Sequence, residues 1–182
     1  MLFSLRQHIK EHKLIRNRNI SLMMKIEYAA TDQRDLDLIG HLWKKLYEHH
    51  RVRSPNNAKH FVNMTFDIRK KGLLEKARKG ALRLDIARDI MTDKIIGYCV
   101  SSVTEDKQGE IESIFIEKDY RKHGIGDNLM KRALGWMDGL SADKRIIGVA
   151  VGNEEAFGFY ARYNFYPRVT ILHYFNNVST TR

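Results

Sequence analysis

Three groups of residues in this chain of 182 have types and spacing suited to chemistry. The first is the run Arg121-Lys-His-Gly124-Ile-Gly126, which joins a strand-like stretch to a helix-like one. Gly124 and Gly126 carry no Cβ, so the main chain there can turn tightly and come close to a ligand. Amides of such a loop and of a first helical turn lack intrahelical acceptors and sit at the positive end of the helix dipole. That combination binds phosphate. Arg121, Lys122 and, further along the helix, Lys131 supply charge-assisted donors. The second group is Glu112, a carboxylate at the head of the same strand-loop-helix stretch and of a type able to take up a proton. The third is Asn153 with Tyr160, an amide and a phenol in one downstream segment.

Two common phosphate loops are disfavoured at once. A dinucleotide fingerprint needs a further glycine where Leu129 stands, and a Walker A loop needs Lys-Ser/Thr where Asp127-Asn128 follow. Each residue also has a purely structural reading. Gly-x-Gly can be a plain helix-entry turn. Glu112 can be a solvated strand residue facing Arg83 or another cation, and Tyr160 can be core packing with Phe157 and Tyr163. Asn153 is also a good N-cap.

The elements that must hold these residues follow from periodicity. Lys25–Tyr28 reads as a short strand, with Thr31 as the N-cap of a helix carrying Leu36, Ile39, Trp43, Leu46 and Tyr47. A basic loop through Ser54 to Asn57 leads to a second helix over Phe61 to Lys79. Leu82, Leu84 and Ile86 alternate with Arg83 and Asp85, the pattern of a half-buried strand. Ile95 to Val103 and Glu110 to Ile116 are further strands. The loop Asp119–Gly126 opens an amphipathic helix with Leu129, Ala133, Trp136 and Met137 on its apolar face. Ile146 to Val151 is a strand, Asn153 begins a helix, and residues 165–175 form a last strand, where Pro167 demands an edge or a bulge. The order is βααβββαβαβ, one mixed α/β domain.

Composition narrows the class. No apolar run approaches the roughly 18 residues of a membrane span. Cys99 is the only cysteine, so no intramolecular disulfide forms, and a reducing cytoplasm is the expected setting. It reads as buried and inert. The net charge of +10 suits a phosphate-bearing ligand. The interleaved aromatics of nucleic-acid modules are missing, so no nucleic-acid or membrane partner is expected. Residues 1–23 carry five cations against Glu11 and read as a basic extension outside the fold, residues 24–176 as the domain, and 177–182 as a tail. Deletion of residues 1–22 should then leave stability and activity intact. The pattern His8-Ile-Lys-Glu11-His12 matches a zinc motif by coincidence, and no metal is expected. His49, His50, Arg51, Arg53, Lys59 and His60 make the first inter-helix region basic.

Arg121-Lys-His-Gly124-Ile-Gly126 resembles the Arg/Gln-x-x-Gly-x-Gly/Ala pyrophosphate loop of the GNAT N-acetyltransferases. Asn153-Glu-Glu-Ala-Phe-Gly-Phe-Tyr160-Ala-Arg-Tyr-Asn-Phe165 resembles the same family's Asn-x-x-Ala-x-x-Phe-Tyr-x-x-x-Gly-Phe segment, with Asn164 in place of Gly. The resemblance implies a twisted, mostly antiparallel sheet with helices on both faces. It implies acetyl-CoA as co-substrate, in a cleft where the strand ending near Ile116 parts from the one beginning near Ile146. The strand Ile114-Phe115-Ile116 would flank the pantetheine arm. Amides from Lys122 through His123, Gly124, Ile125 and Gly126 to Asp127 would hold the pyrophosphate, with Arg121 beside them. Asn153 would contact the cofactor, Tyr160 would protonate the leaving thiolate, and Glu112 would act as base toward a small-molecule or peptide amine. A basic region bordering the acceptor site favours an acceptor with a carboxylate or phosphate. A silent acetyl-CoA-binding regulatory module, a peptide N-terminal acetyltransferase and a homodimer stay open.

Overall fold

The computed structural model describes residues 24–54 and 64–172. The basic extension 1–23 with its His-x-x-Glu-His pattern, the loop residues 55–57, Lys59, His60, the helix start expected at 61–63 and the tail lie outside the described residues. Among the described residues, five strands form one sheet in the order β1-β2-β3-β4-β5. They are β1 Ile26–Thr31, β2 Gly80–Asp89, β3 Lys94–Thr104, β4 Gln108–Ile116 and β5 Lys144–Ile147. The first four pair antiparallel, while β5 runs parallel to β4. The α-helices among the described residues are α1 Gly40–Arg53, α2 Phe66–Arg78, α3 Ile125–Gly139 and the short α4 Phe157–Ala161.

Two apolar layers sandwich the sheet, as the expected fold requires. On one face, Leu42 and Trp43 of α1 and Phe66 and Leu73 of α2 join Leu84, Tyr98 and Phe115. On the other, Leu129, Met130, Ala133 and Met137 of α3 join Cys99, Ile111 and Tyr160. Both faces of β2 are therefore covered. Asp85, expected on a solvated face, is fully buried and lies between Arg83 Nε at 2.7 Å and Arg132 Nε at 2.8 Å.

Two irregularities of β4 shape the edge it presents. Its pairing with β3 runs Val100↔Ser113 and then Ser101↔Ile111, so Glu112 is the extra residue of a β-bulge. The bulge exchanges the faces of the alternating side chains: Ile111 lies in the α3 layer, yet Phe115, four residues on, lies in the α1 layer. Pairing with β5 is also short, ending at Ile111↔Ile147. Beyond it the two chains part, leaving the β5-facing edge of Glu112–Ile116 without a ladder.

Several expected elements are corrected. Asp32, not Thr31, caps the first helical segment, accepting from Arg34 N at 2.9 Å. That segment, Gln33–Ile39, is 3-10 rather than α, with a break at Asp35 (φ −106°, ψ 16°). The second helix starts at Phe66 behind Thr65, whose hydroxyl accepts from Ile68 N. The segment after Asn153 is a 3-10 turn, Glu154–Ala156, followed by α4. Residues 165–172 form no strand. They pair with no ladder, and Tyr166, Val169 and Ile171 are exposed; residues 173–175 lie outside the described residues.

Candidate active site

The loop after β4 takes its shape from residues that accept a left-handed backbone. Lys122 has φ 68° and Gly124 has φ 77°. A Cβ on Gly124 would meet no atom within 4 Å, so glycine is needed there for its conformation, not for lack of room. At Gly126 the reason differs. A Cβ would lie 3.3 Å from both Ile116 Cδ1 and Phe159 Cε2, so a bare backbone lets α3 sit close to β4 and α4. Among the described residues, the amides from Lys122 to Asp127 donate to no protein acceptor. Arg121 turns its Nε back onto Ile116 O at 2.9 Å, with its guanidinium 5.6 Å from the Phe115 ring centre.

The parted edge of β4 faces the same space. Glu117 N donates to Ile96 O of β3 at 2.8 Å. Amide direction alternates along a strand, so Ile114 and Ile116 present theirs on the opposite side, toward the gap. The gap is a cleft of about 660 Å³ lined by Ile114, Phe115, Ile116, Arg121, Lys122, Gly124, Gly126, Asp127, Asn153, Tyr160 and Arg162. Two sequence candidates fall outside the lining. Ile125 is buried in the α3 layer, and His123 is not among the residues that line the cleft. Lys131 is exposed on α3 and lines neither this cleft nor the next.

A second cleft of about 460 Å³ adjoins it and shares Leu46, Ile114, Asn153 and Tyr160. Tyr160 is thus at the junction of both. The residue is 9% exposed, and its hydroxyl makes no hydrogen bond among the described residues. Burial, with Cys99 adding to it, pushes that hydroxyl up to about 12. It is a protonated donor at neutral pH. Asn153 occupies the N-cap position of its 3-10 turn but makes no side-chain cap bond; its Oδ1 lies 3.4 Å from His49 Nε2 instead. Asn164 has φ 62°, the left-handed conformation its place in the motif requires. The Cys99 thiol is fully buried and pushed up to about 12, so no thiolate is present at neutral pH.

Glu112 is neither solvated nor opposite Arg83. Its side chain is 1% exposed. Oε1 accepts from Ser102 Oγ at 2.6 Å and from Lys76 Nζ at 2.5 Å, while Oε2 accepts from Arg69 Nη2 at 2.9 Å. Arg69 also caps the bulge by donating to Glu112 O at 3.0 Å. Oε1 is fully used, and Oε2 keeps one lone pair. Sequence reasoning missed Arg69, Lys76, Ser102 and Glu110, and only the packing of α2 on the sheet, with its Arg69 and Lys76 side chains reaching β4, brings them together. It also missed Arg162 and Tyr163, which both reach Asp127 Oδ1 beside the loop. The basic stretch near His49 is compensated: Arg51 pairs with Glu48 and Arg53 with Glu155. His50 is half-buried, its Nε2 has no partner among the described residues, and burial lowers its pKa. No cluster of His, Cys, Asp and Glu suited to a metal occurs among the described residues.

The sequence matches the model of the Acetyltransferase (GNAT) family over residues 41–165. The chain belongs to that family, and its class is acyltransferase. No curated protein matches it in a sequence search. Solved structures share the fold at low identity. A GCN5-related N-acetyltransferase from Ralstonia eutropha JMP134 has TM-score 0.64 at 17% identity, covering 83% of this chain and 99% of that one. AAC(6')-Iy, solved with the bisubstrate analogue CoA-S-monomethyl-acetylneamine, has TM-score 0.61 at 14% identity, covering 84% and 99%. A ribosomal-protein-alanine N-acetyltransferase from Brucella melitensis biovar Abortus 2308 has TM-score 0.58 at 15% identity, covering 84% and 100%.

Proposed function

We propose that this chain is an N-acetyltransferase that moves an acetyl group from acetyl-CoA directly to a primary amine of a small molecule or peptide. One observation carries the reading. A strand edge free of ladder partners and a run of unpaired amides line one cleft, which opens beside Tyr160 into a second cleft of different chemistry. The donors suit the ligand: the amides from Lys122 to Asp127 and the Arg121 and Lys122 side chains match a diphosphate, and the Ile114 and Ile116 edges match an amide-bearing arm.

Acetyl-CoA, when bound, supplies an activated acyl carbon. The chain's own contributions are binding, alignment and proton management. Freeing the lone pair of an alkyl amine of pKa near 10 at pH 7 costs about 4–5 kcal/mol. Glu112 takes up that proton through water at the one open lone pair of Oε2, since its carboxylate is held too deep for direct contact. Tyr160 protonates the leaving sulfur. Holding both reactants in line across the junction supplies the largest share of the rate. The protein works in the cytoplasm, with residues 24–176 as the functional domain.

Thiol release from acetyl-CoA, followed over a panel of primary amines, amino acids and peptides, tests the reading. Amine-dependent release is expected for at least one acceptor. Uptake of acetyl-CoA with no release across the panel would instead favour a silent binding module.

A further inference from the structure

The second cleft already holds a primary ammonium of its own. Lys76, near the C-terminal end of α2, places Nζ 2.5 Å from Glu110 Oε2 and 2.5 Å from Glu112 Oε1. Without it, these two carboxylates on β4 would converge on a cation-sized position inside the cleft. Lys76 fills that position. It is also only half withdrawn from water, its side chain 38% exposed, whereas Glu112 is 1% exposed. Glu110 is 26% exposed, so the ammonium sits between one wholly buried and one partly buried carboxylate.

Among the described residues, the lining charge has no surplus to attract a polycation. The ionised side chains among them are Arg69 and Lys76 against Glu110 and Glu112. His50 is neutral at pH 7, because burial, His49 and Arg53 all lower its pKa. Just outside, Arg51 and Arg53 are each matched by one carboxylate. An amine with several ammonium groups gains nothing from this field, and it must expel Lys76 to reach the carboxylates. Arg69, by contrast, donates through Nη2 alone, leaving Nε and Nη1 without a partner among the described residues. Those donors suit a neutral or anionic acceptor group.

We propose that Lys76 is a specificity-determining residue: it occupies the ammonium position between Glu110 and Glu112 and so excludes polyamines and other polycationic amines, leaving acceptors whose remainder is uncharged or carries a carboxylate. The inference rests on the proposed acetyl transfer, since it treats the second cleft as the acceptor side. It departs from any simple transfer of an aminoglycoside substrate from a structural neighbour.

Calorimetric titration of spermidine into wild type, Lys76→Met and Lys76→Arg tests it without acetyl-CoA present. Lys76→Met should bind spermidine about tenfold or more tighter than wild type at low salt, with the gain shrinking as salt rises. Lys76→Arg should stay as weak as wild type. Lys76→Gln serves in place of Lys76→Met should thermal melting show that variant unfolded. Equal spermidine affinity in wild type and the neutral variant, or a matching gain in Lys76→Arg, overturns the proposal. A separate acetyl-CoA titration of the same samples reports on the cofactor reading, so the two can fail independently.

Discussion

Replacing Tyr160 with Phe isolates one oxygen atom at the junction of the two clefts. The ring is almost fully buried among α3 and β4 residues, and Phe keeps that packing. The hydroxyl has no hydrogen-bond partner among the described residues, so its loss leaves no buried group unpaired. Stability should therefore change by less than about 0.5 kcal/mol. The functional cost is much larger. A positioned general acid contributes about 10²–10⁴-fold, or about 3–5 kcal/mol of barrier. The hydroxyl, raised to about 12, stays protonated over the whole assay range. Tyr160 therefore causes no alkaline fall in the wild-type rate below about pH 11, and the variant's deficit should persist from about pH 6.5 to 9.5. Thiol release at saturating acetyl-CoA should show kcat down about 10²-fold or more, with calorimetric acetyl-CoA affinity within about twofold of wild type. A variant that keeps its kcat within about threefold refutes the acid role, because no positioned proton donor is worth so little.

Arg69→Met removes a donor from a carboxylate that is 1% exposed and uncaps the bulge carbonyl, while Lys76 and Ser102 remain. Chemical denaturation should show a loss of about 1.5–3 kcal/mol, and no loss would mean that the Glu112 network is not formed. The lowered pKa of His50 makes its neutral form the native one. The unfolded chain then binds the extra proton first, so this contribution to stability is present above about pH 6.5 and lost as the pH falls below it. His50→Gln should flatten the decline in Tm between about pH 7 and 5, and an unchanged slope would remove His50 from the account.

What was legible in the sequence is what local backbone chemistry dictates. Gly124 in a left-handed conformation, Gly126 at a close helix approach and Asn164 at φ 62° each leave a residue-type signature, and together they mark the family segment before any fold is known. The apolar spacing of Leu129, Ala133 and Met137 likewise announces α3. The extra residue at Glu112 was not legible, because a bulge is defined by the register of the partner strand. Nor were its cations. Arg69 and Lys76 come from a helix whose own sequence shows only an amphipathic pattern, and they reach β4 through packing alone. Asp85 misread as solvent-facing for the same reason: alternation in β2 says nothing of the Arg132 that α3 lays over it. The stretch Tyr166–Leu172 alternates like a strand, yet alternation without an adjoining edge gives no ladder, and Pro167 has no N–H to offer one.

The claim on which the functional account stands is that main-chain amides of the loop from Lys122 to Asp127 hold a diphosphate. Calorimetry of acetyl-CoA with wild type and Gly124→Val, at low salt, tests it most directly. Wild type should bind, and the variant should lose about tenfold or more in affinity while keeping its fold, because a β-branched residue resists φ 77° and drags the amides out of alignment. Equal affinity in the two proteins, or no uptake by wild type, contradicts the account.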